Sequence, residues 1–217
     1  MLADAGVPVL AERLAPDADA AARAAAEIGY PIVLKIASRD LQHKTEVGGV
    51  ALGLGSEAEV RRAFAQMLER VARKAPQAVI DGVIVAPMAK GVVELILGSR
   101  IDPIFGPVVM VGLGGIFAEI LQDTAVQMAP VSEAQALTML KSLKAFAVLN
   151  GARGRPRADL DAAARAVAAL SRFAAAHAEA VSEIDINPLL LKAQGEGAVA
   201  LDALLIPHAD GERQERH

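Results

Sequence analysis

Residues 181–191 read Val-Ser-Glu-Ile-Asp-Ile-Asn-Pro-Leu-Leu-Leu, and a second apolar run, Ala-Val-Ala-Leu-Asp-Ala-Leu, occupies residues 198–204. Both runs have the apolar content that is typical of strands. The segment between them, Ala193-Gln-Gly-Glu-Gly197, contains the glycines expected of a tight hairpin turn. This stretch therefore predicts an antiparallel β-hairpin.

The predicted hairpin carries oxygen-bearing side chains on one face. If its turn is centred between Gln194 and Gly195, Asn187 lies opposite Asp202 on the neighbouring strand. Asp185 is two residues before Asn187, so its side chain leaves the same face. Hard oxygen donors suit Mg²⁺, which usually takes one or two carboxylates together with phosphate oxygens and water. An ordinary polar outer face of a hairpin is the alternative interpretation.

The rest of the chain mixes short apolar runs with helical patterns. Short loops separate the predicted strands at residues 83–86, 92–97 and 107–111, which indicates antiparallel neighbours. Helical patterns cover residues 17–28, 56–74, 132–143 and 159–178. This mixture predicts an α+β fold with two lobes. The predicted lobes are residues 1–84 and residues 85–207, the second with the hairpin, followed by a polar tail at 208–217.

Composition removes several classes of function. The chain has 217 residues, 53% of them hydrophobic, so it can bury a full core. It has no cysteine, which excludes a disulfide framework, a thiolate zinc site and a cysteine nucleophile. The 26 acidic and 22 basic residues give a net charge of −4 without a basic stripe, so nucleic acid is not expected as a partner. Neither a membrane span nor a signal peptide is recognisable, and a cytoplasmic location is expected.

The two commonest phosphate-binding motifs are absent from the sequence. It contains no Gly-x-x-x-x-Gly-Lys-Ser/Thr, and Phe117 stands where the third glycine of a dinucleotide fingerprint would follow Gly112 and Gly114. A nucleotide site would therefore need another way of holding phosphate.

Lysine 35 is the first candidate for that role. It lies inside the apolar run Pro31-Ile-Val-Leu-Lys-Ile-Ala37, which is predicted to be a buried strand. A shorter strand is predicted earlier in the chain, at residues 7–10. An unpaired ammonium costs several kcal/mol in such a setting, so Lys35 must meet an anion or emerge at the end of the sheet. A lysine that snorkels at a strand edge is the alternative.

Two further places in the sequence carry unexplained polar groups. The loop Gln42–Gly49 combines His43 and Lys44 with two glycines, Gly48 and Gly49, which would let backbone N–H groups approach a phosphate. A plain glycine-rich hairpin loop explains the same pattern. Glu94 is an isolated carboxylate in an apolar strand, where either a ligand or simple outward alternation would account for it.

Six segments together resemble the ATP-grasp domain of ADP-forming acyl-CoA synthetases, the family that includes ADP-forming acetyl-CoA synthetase and succinyl-CoA synthetase. The order and spacing of the segments are more specific than any one of them. They are Gly6–Pro8, Pro31–Ile36, His43–Val50, Glu94–Pro107, Gly112–Glu119 and Glu183–Leu189.

The resemblance implies two lobes that close over ATP or ADP. It assigns Lys35 to the phosphates, Glu94 to the ribose or metal side, and Asn187 with Asp202 to magnesium. His43, in the loop that ends at Gly49, resembles a residue associated with phosphate relay. The same resemblance assigns the hinge around adenine to Val85, Ala86 and Met88.

The resemblance also implies an acid–thiol ligase that converts acyl-CoA, phosphate and ADP into carboxylate, CoA and ATP through an acyl phosphate and a phosphohistidine. A CoA-binding domain is expected on another chain or in a longer polypeptide, in a hetero-oligomer or a fusion. Arg153 and Arg155 resemble a basic loop that would dock this partner, although a solvated arginine loop is the alternative. A regulatory ATP-grasp-like domain of a protein N-acetyltransferase, which binds ligand without turnover, and a purely structural interaction domain are the other hypotheses.

Overall fold

The computed structural model describes residues 1–41, 44–115 and 123–208, with the side chain of Arg153 outside the description. The chain divides into a first unit, Leu10–Ala89, and a second unit, Met1–Val9 with Lys90–His217. The predicted boundary between residues 84 and 85 falls inside the strand Gly82–Pro87, whereas the two units meet at residues 89 and 90 and residues 1–9 belong to the second unit. Of the predicted tail, residues 209–217 lie outside the described residues.

The first unit is a four-stranded antiparallel sheet with two helices. Its strands follow the order β1-β4-β2-β3 across the sheet. The elements are β1 (Arg13–Ala15), α1 (Ala18–Ile28), β2 (Ile32–Ala37), β3 (Val50–Leu54), α2 (Glu57–Lys74) and β4 (Gly82–Pro87). The predicted strand at residues 7–10 is not a strand, and Val9 makes only an isolated bridge to Ala200 within the second unit.

Both helices of the first unit begin at side-chain caps. Asp17 accepts a hydrogen bond from the Ala20 N–H at the start of α1, and Ser56 accepts one from the Glu59 N–H at the start of α2. The helices then bury small and apolar residues against the sheet, where Ile32, Leu34 and Ile36 of β2 are fully buried. Strand β2 therefore runs through the centre of this core, with its backbone paired on both sides.

The second unit contains a six-stranded sheet in the order β10-β8-β5-β6-β7, with β9 paired to β8. The strands are β5 (Val93–Asp102), β6 (Gly106–Leu113), β7 (Thr124–Met128), β8 (Val181–Leu191), β9 (Ala198–Ala200) and β10 (Ala203–Pro207). The helices are α3 (Glu133–Ser142), α4 (Phe146–Leu149), a 3₁₀ turn (Ala152–Gly154) and α5 (Leu160–Ala176).

The two faces of this sheet differ in burial. Alternate residues of β5, such as Leu95, Leu97 and Ser99, are buried on the face that α5 covers. Glu94 and Arg100 point to the opposite face and are exposed. Strand β8 follows the same rule, because Ile184 and Ile186 are buried whereas Asp185 is half-buried and Asn187 exposed. The polar side chains of interest therefore share the open face.

The predicted hairpin is present, but its second strand is divided. Ala198–Ala200 pairs with β8 as β9, and Ala203–Pro207 pairs with β8 as β10. The Leu201 N–H donates to the carbonyl of Pro188 across the interruption, which keeps the register unchanged. The strand ends are thus less regular than the apolar pattern suggests, although the pairing is the one predicted.

The longest helices are α2, with 18 residues, and α5, with 17 residues. Charged residues cover the outward side of α2, whereas about half of α5 is alanine and most of those alanines are buried. In the described part of the chain, no helix combines the length and the apolar character needed to cross a membrane.

Candidate functional site

Lysine 35 is held as an ion pair inside the first unit. Its Nζ lies 2.7 Å from Oε1 of Glu12, and the Lys35 side chain is only 11% exposed. In strand β2, Lys35 is paired with Val50 on one side and with Ile84 on the other, so its backbone cannot shift without breaking the sheet. The prediction that Lys35 meets an anion is therefore fulfilled here by a carboxylate.

The loop that follows β2 is closed by its own backbone bonds. The Gly48 N–H donates to the Thr45 carbonyl at 3.0 Å, and the Gly49 N–H donates to the Lys44 carbonyl at 2.8 Å. Gly48 has a φ of 73°, which favours glycine. The two glycines therefore shape a tight loop in this structure, and their contact with phosphate stays a prediction. Lys44 lies in the same loop and is half-buried.

The last turns of α2 hold this loop from outside. Lys74 Nζ donates to the Glu46 carbonyl at 2.8 Å, and Arg70 Nε approaches the Gly48 carbonyl at 3.4 Å. Basic residues at a helix C-terminus also interact favourably with the helix dipole. These two side chains were missed in the sequence, because nothing in the helical pattern indicates which distant carbonyl a surface lysine will reach.

Glycine 49 is expected to tolerate no side chain. A Cβ at this position would lie 2.4 Å from Cγ2 of Ile36 and 2.9 Å from the Lys44 carbonyl oxygen. Gly49→Ala should therefore lower the free energy of unfolding by about 1–3 kcal/mol through overpacking. Urea unfolding checks this, with Gly55→Ala as the control, since a Cβ there would meet nothing closer than 3.7 Å. Equal stability of the two variants would contradict the packing argument.

The remaining predictions in the first unit have mixed outcomes. His43 lies outside the described residues. Val85 and Ala86 are fully buried in β4, so a contact with adenine would have to use their backbone. Met88 is half-buried, and its N–H donates to the Pro31 carbonyl at 3.1 Å. A hinge role for these three residues stays a prediction.

Glutamate 94 lies in the second unit beside the glycine segment that follows β6. The Gly114 N–H donates to the Glu94 carbonyl at 2.8 Å, and a Cβ at Gly114 would lie 3.2 Å from the Cβ of Glu94. Both residues line an open cavity of about 240 Å³ together with Gly91, Gly115, Val148 and Arg155. The structure thus brings Glu94 and Arg155 to one cavity, which the sequence did not indicate. The side chain of Arg153 lies outside the description.

The backbone of the last hairpin has the register that its turn predicts. Asp202 lies just before β10 and opposite Asn187 of β8, whose N–H donates to the Asp202 carbonyl at 3.2 Å. Asp185 lies on the same face of β8, opposite Leu204. The register between β5 and β8 shifts between Leu95 and Leu97, next to Asn187, and such bulges redirect side chains near sites. The predicted register is confirmed, and the metal role stays a prediction.

The donor set fits a small, hard cation. In that predicted role, Asn187 would supply an amide oxygen, and Asp185 and Asp202 would supply carboxylates. Within the described residues, no group of three or more His, Cys, Asp or Glu side chains could hold a metal by itself. A cation at this face would therefore need Asn187 and additional oxygens such as those of phosphate.

Aspartate 159 joins the start of α5 to the turn of the last hairpin, and only the first of these two roles is indicated by the sequence. Its carboxylate caps α5 through the Ala162 N–H and also accepts hydrogen bonds from the N–H groups of Gly195 and Gly197 in the turn between β8 and β9. Burial raises the pKa of this carboxyl, but the three N–H donors outweigh that effect, and the net pKa is lowered. Position 159 is recognisable as a helix start, whereas the link to the hairpin turn is not.

Antiparallel sheets with attached helices form both units, and Lys35 lies in a central strand of the first. A profile of the ATP-grasp domain family matches residues 1–206. The predicted fold class, α+β with an ATP-grasp fold, is therefore confirmed.

Known relatives define the branch of the family. The chain is 38% identical over 201 residues to the beta subunit of acetate–CoA ligase (ADP-forming) II from Pyrococcus furiosus, covering 93% of this chain and 85% of that subunit. It is 39% identical over 197 residues to 4-hydroxybutyrate–CoA ligase (ADP-forming) from Nitrosopumilus maritimus, covering 91% of this chain. This chain belongs to the ATP-grasp domains of ADP-forming acyl-CoA synthetases, as the resemblance predicted.

Solved structures agree with this assignment. The dinucleotide-forming acetyl-coenzyme A synthetase 1 of Ca. Korarchaeum cryptofilum, in complex with coenzyme A and Ca-AMPCP, superposes with a TM-score of 0.91 at 40% identity, covering 95% of this chain and 89% of that chain. A second structure of that enzyme, with coenzyme A and Mg-AMPPCP, has a phosphohistidine segment pointing towards the nucleotide-binding site. Its TM-score is 0.81 at 36% identity, covering 95% of this chain and 88% of that chain.

The share of each relative that is matched differs between them. The chain spans 28% of the Nitrosopumilus ligase but 85% of the Pyrococcus beta subunit. The same domain thus occurs within a long polypeptide in one relative and as a separate subunit in another. The remaining parts of such an enzyme lie outside the segment that this chain matches.

Proposed function

We propose that this chain performs the nucleotide half of an ADP-forming acyl-CoA synthetase. The observation that carries the proposal is the end-to-end likeness to a beta subunit of an ADP-forming ligase, of which the chain covers 85%. The complete reaction would convert acyl-CoA, phosphate and ADP into carboxylate, CoA and ATP. The chain would transfer a phosphoryl group between a phosphohistidine on its partner and ADP, so that the P–N bond breaks as the P–O bond of ATP forms.

In this proposal, basic residues of the first unit bind the phosphates of the nucleotide. Lys35 would place its ammonium on the phosphate oxygens, and the 44–49 loop would approach them with Lys44 and its backbone. Phosphoryl transfer depends mainly on positioning and on neutralising charge, so one buried ammonium contributes directly to it. His43 would contact or relay phosphate.

The open face of the sheet in the second unit would supply the ligands of the metal ion. Asn187 and Asp202, with Asp185 beside them, would hold Mg²⁺, which neutralises charge on the nucleotide phosphates when it is bound. Glu94 would contact the ribose or metal side. Arg155, which lines the same cavity as Glu94, would receive the phosphorylated segment of the partner together with Arg153, because a guanidinium suits phosphate.

The remaining activity would require a CoA-binding partner. Relatives that are single long chains contain this domain as about a quarter of their length, as the 28% coverage indicates. The acyl group, the CoA and the histidine that is phosphorylated would therefore belong to another domain or subunit. We expect the working enzyme to be a hetero-oligomer or a longer polypeptide.

Phosphoryl transfer can be tested by labelling. The chain is incubated with γ-labelled ATP and Mg²⁺, alone and with the CoA-binding subunit of a related enzyme, and each protein is analysed after treatment with acid and with base. Label that survives base and is lost in acid, and that requires Lys35, supports the proposal. Nucleotide binding without any acid-labile label in either protein would contradict turnover and favour the regulatory alternative, a domain that binds ligand in a protein N-acetyltransferase.

A further inference from the structure

The ion pair of Lys35 joins a fixed residue to a movable one. Lys35 lies in the central strand of the first unit with a side chain that is 11% exposed, whereas the Glu12 side chain is 35% exposed. Glu12 lies just before β1, outside any strand or helix. The carboxylate can therefore rotate towards solvent, whereas the largely buried Lys35 side chain has little room to move.

We propose that Glu12 is an internal counter-ion that occupies the Lys35 ammonium in the absence of nucleotide and lowers the affinity for nucleotide phosphates. This inference rests on the proposed role of Lys35 in binding those phosphates. A buried ammonium is costly without an anion, which explains why the Glu12 carboxylate lies 2.7 Å from it. Nucleotide phosphates and the Glu12 carboxylate carry the same charge, so they compete for Lys35 and repel one another if both stay close.

Glu12 thereby sets the affinity of the protein for nucleotide. Nucleotide binding has to break the Lys35–Glu12 pair. Because the pair is a part-buried, charged hydrogen bond, breaking it costs appreciable free energy. An uncharged side chain at position 12 would remove that cost. The free protein would then be less stable, because Lys35 would lose its ion pair with the Glu12 carboxylate.

The test compares nucleotide affinity in a charge series at position 12. Glu12→Gln keeps the size and removes the charge, and its dissociation constant for Mg²⁺–ADP should be roughly five- to tenfold lower than that of the wild type, measured by calorimetry. Glu12→Asp keeps the charge but is one methylene shorter, so its affinity should fall between the two. Glu27→Gln is the matched control, since Glu27 pairs with Arg13 at 3.7 Å on the exposed surface of the same unit.

The possible results separate this inference from the proposed function. Tighter binding in the order wild type, Asp, Gln, with Glu27→Gln unchanged, supports the counter-ion role. Unchanged or weaker binding by Glu12→Gln, while the wild type binds normally, overturns it and leaves the proposed function intact. If Glu12→Gln does not fold, an affinity of Glu12→Asp at or below that of the wild type overturns it instead. Failure of the wild type to bind ADP overturns both.

Discussion

Replacing Asp159 by alanine is expected to lower the free energy of unfolding by about 3 kcal/mol or more, because three backbone N–H groups lose their acceptor at once. Asp159 is only 5% exposed, so water cannot easily replace the carboxylate. The melting temperature of a chain of this size should fall by roughly 6–12 °C. Thermal and urea unfolding measure the change.

The matched control for this prediction is Asp161→Ala in the same first turn of α5. Asp161 is exposed, and its replacement should change stability by no more than about 0.5 kcal/mol. A similar loss of stability in both variants would mean that the helix dipole, and not the carboxylate bridge to the hairpin turn, carries the effect.

The stability contributed by Asp159 should also depend on pH. Because its pKa is lowered in the folded state, the contribution is complete above the unfolded pKa, which is about 4, and is lost as the pH falls through the folded value. The difference in unfolding free energy between wild type and Asp159→Ala should therefore be constant near neutrality and shrink in acid. Urea unfolding at pH 7, 4 and 3 checks this, and a difference that grew in acid would contradict the assignment.

The double replacement Asn187→Ala with Asp202→Ala is expected to abolish the metal-dependent stabilisation by nucleotide. Nucleotide at 100 times its dissociation constant adds about 2.7 kcal/mol to a protein that binds it, a rise of roughly 5–10 °C in melting temperature here. The variant loses both the amide and the carboxylate proposed as Mg²⁺ donors. Melts with ADP, in Mg²⁺ and in EDTA, should therefore coincide for the variant but not for the wild type.

Two further variants make this test specific. Glu196→Ala removes a carboxylate from the exposed turn of the same hairpin and should keep the full Mg²⁺-dependent shift. Asp202→Asn keeps an oxygen donor without its charge and should give an intermediate shift. A double variant that still responds to Mg²⁺ would remove Asn187 and Asp202 from the metal site.

The pairing of the last hairpin is the part of the fold that the sequence predicted best. Its turn is short and rich in glycine, so the position of the turn fixes the register and brings Asn187 opposite Asp202. Strand ends were less predictable, because the apolar pattern does not reveal interruptions such as the one between β9 and β10. The prediction of a strand at residues 7–10 was wrong for a related reason, since a run of apolar residues does not specify a pairing partner.

Partners that are distant in sequence account for the rest of what sequence reasoning missed. The carboxylate that meets Lys35 comes from Glu12, 23 residues earlier and outside regular structure. Asp159 reaches Gly195 and Gly197 across 36 and 38 residues. Local patterns establish that a buried charge needs a partner or that a helix needs a cap, but only the tertiary fold selects the partner.

The division of the chain has a consequence for the order in which it can fold during synthesis. The first unit is one continuous segment, Leu10–Ala89, and all its strands exist as soon as residue 89 has been made. The second unit must wait, because residues 1–9 belong to it and the Ala200 N–H donates to the Pro8 carbonyl at 2.7 Å. Residues 1–9 are therefore made before the first unit, but they find their place in the second unit only after it.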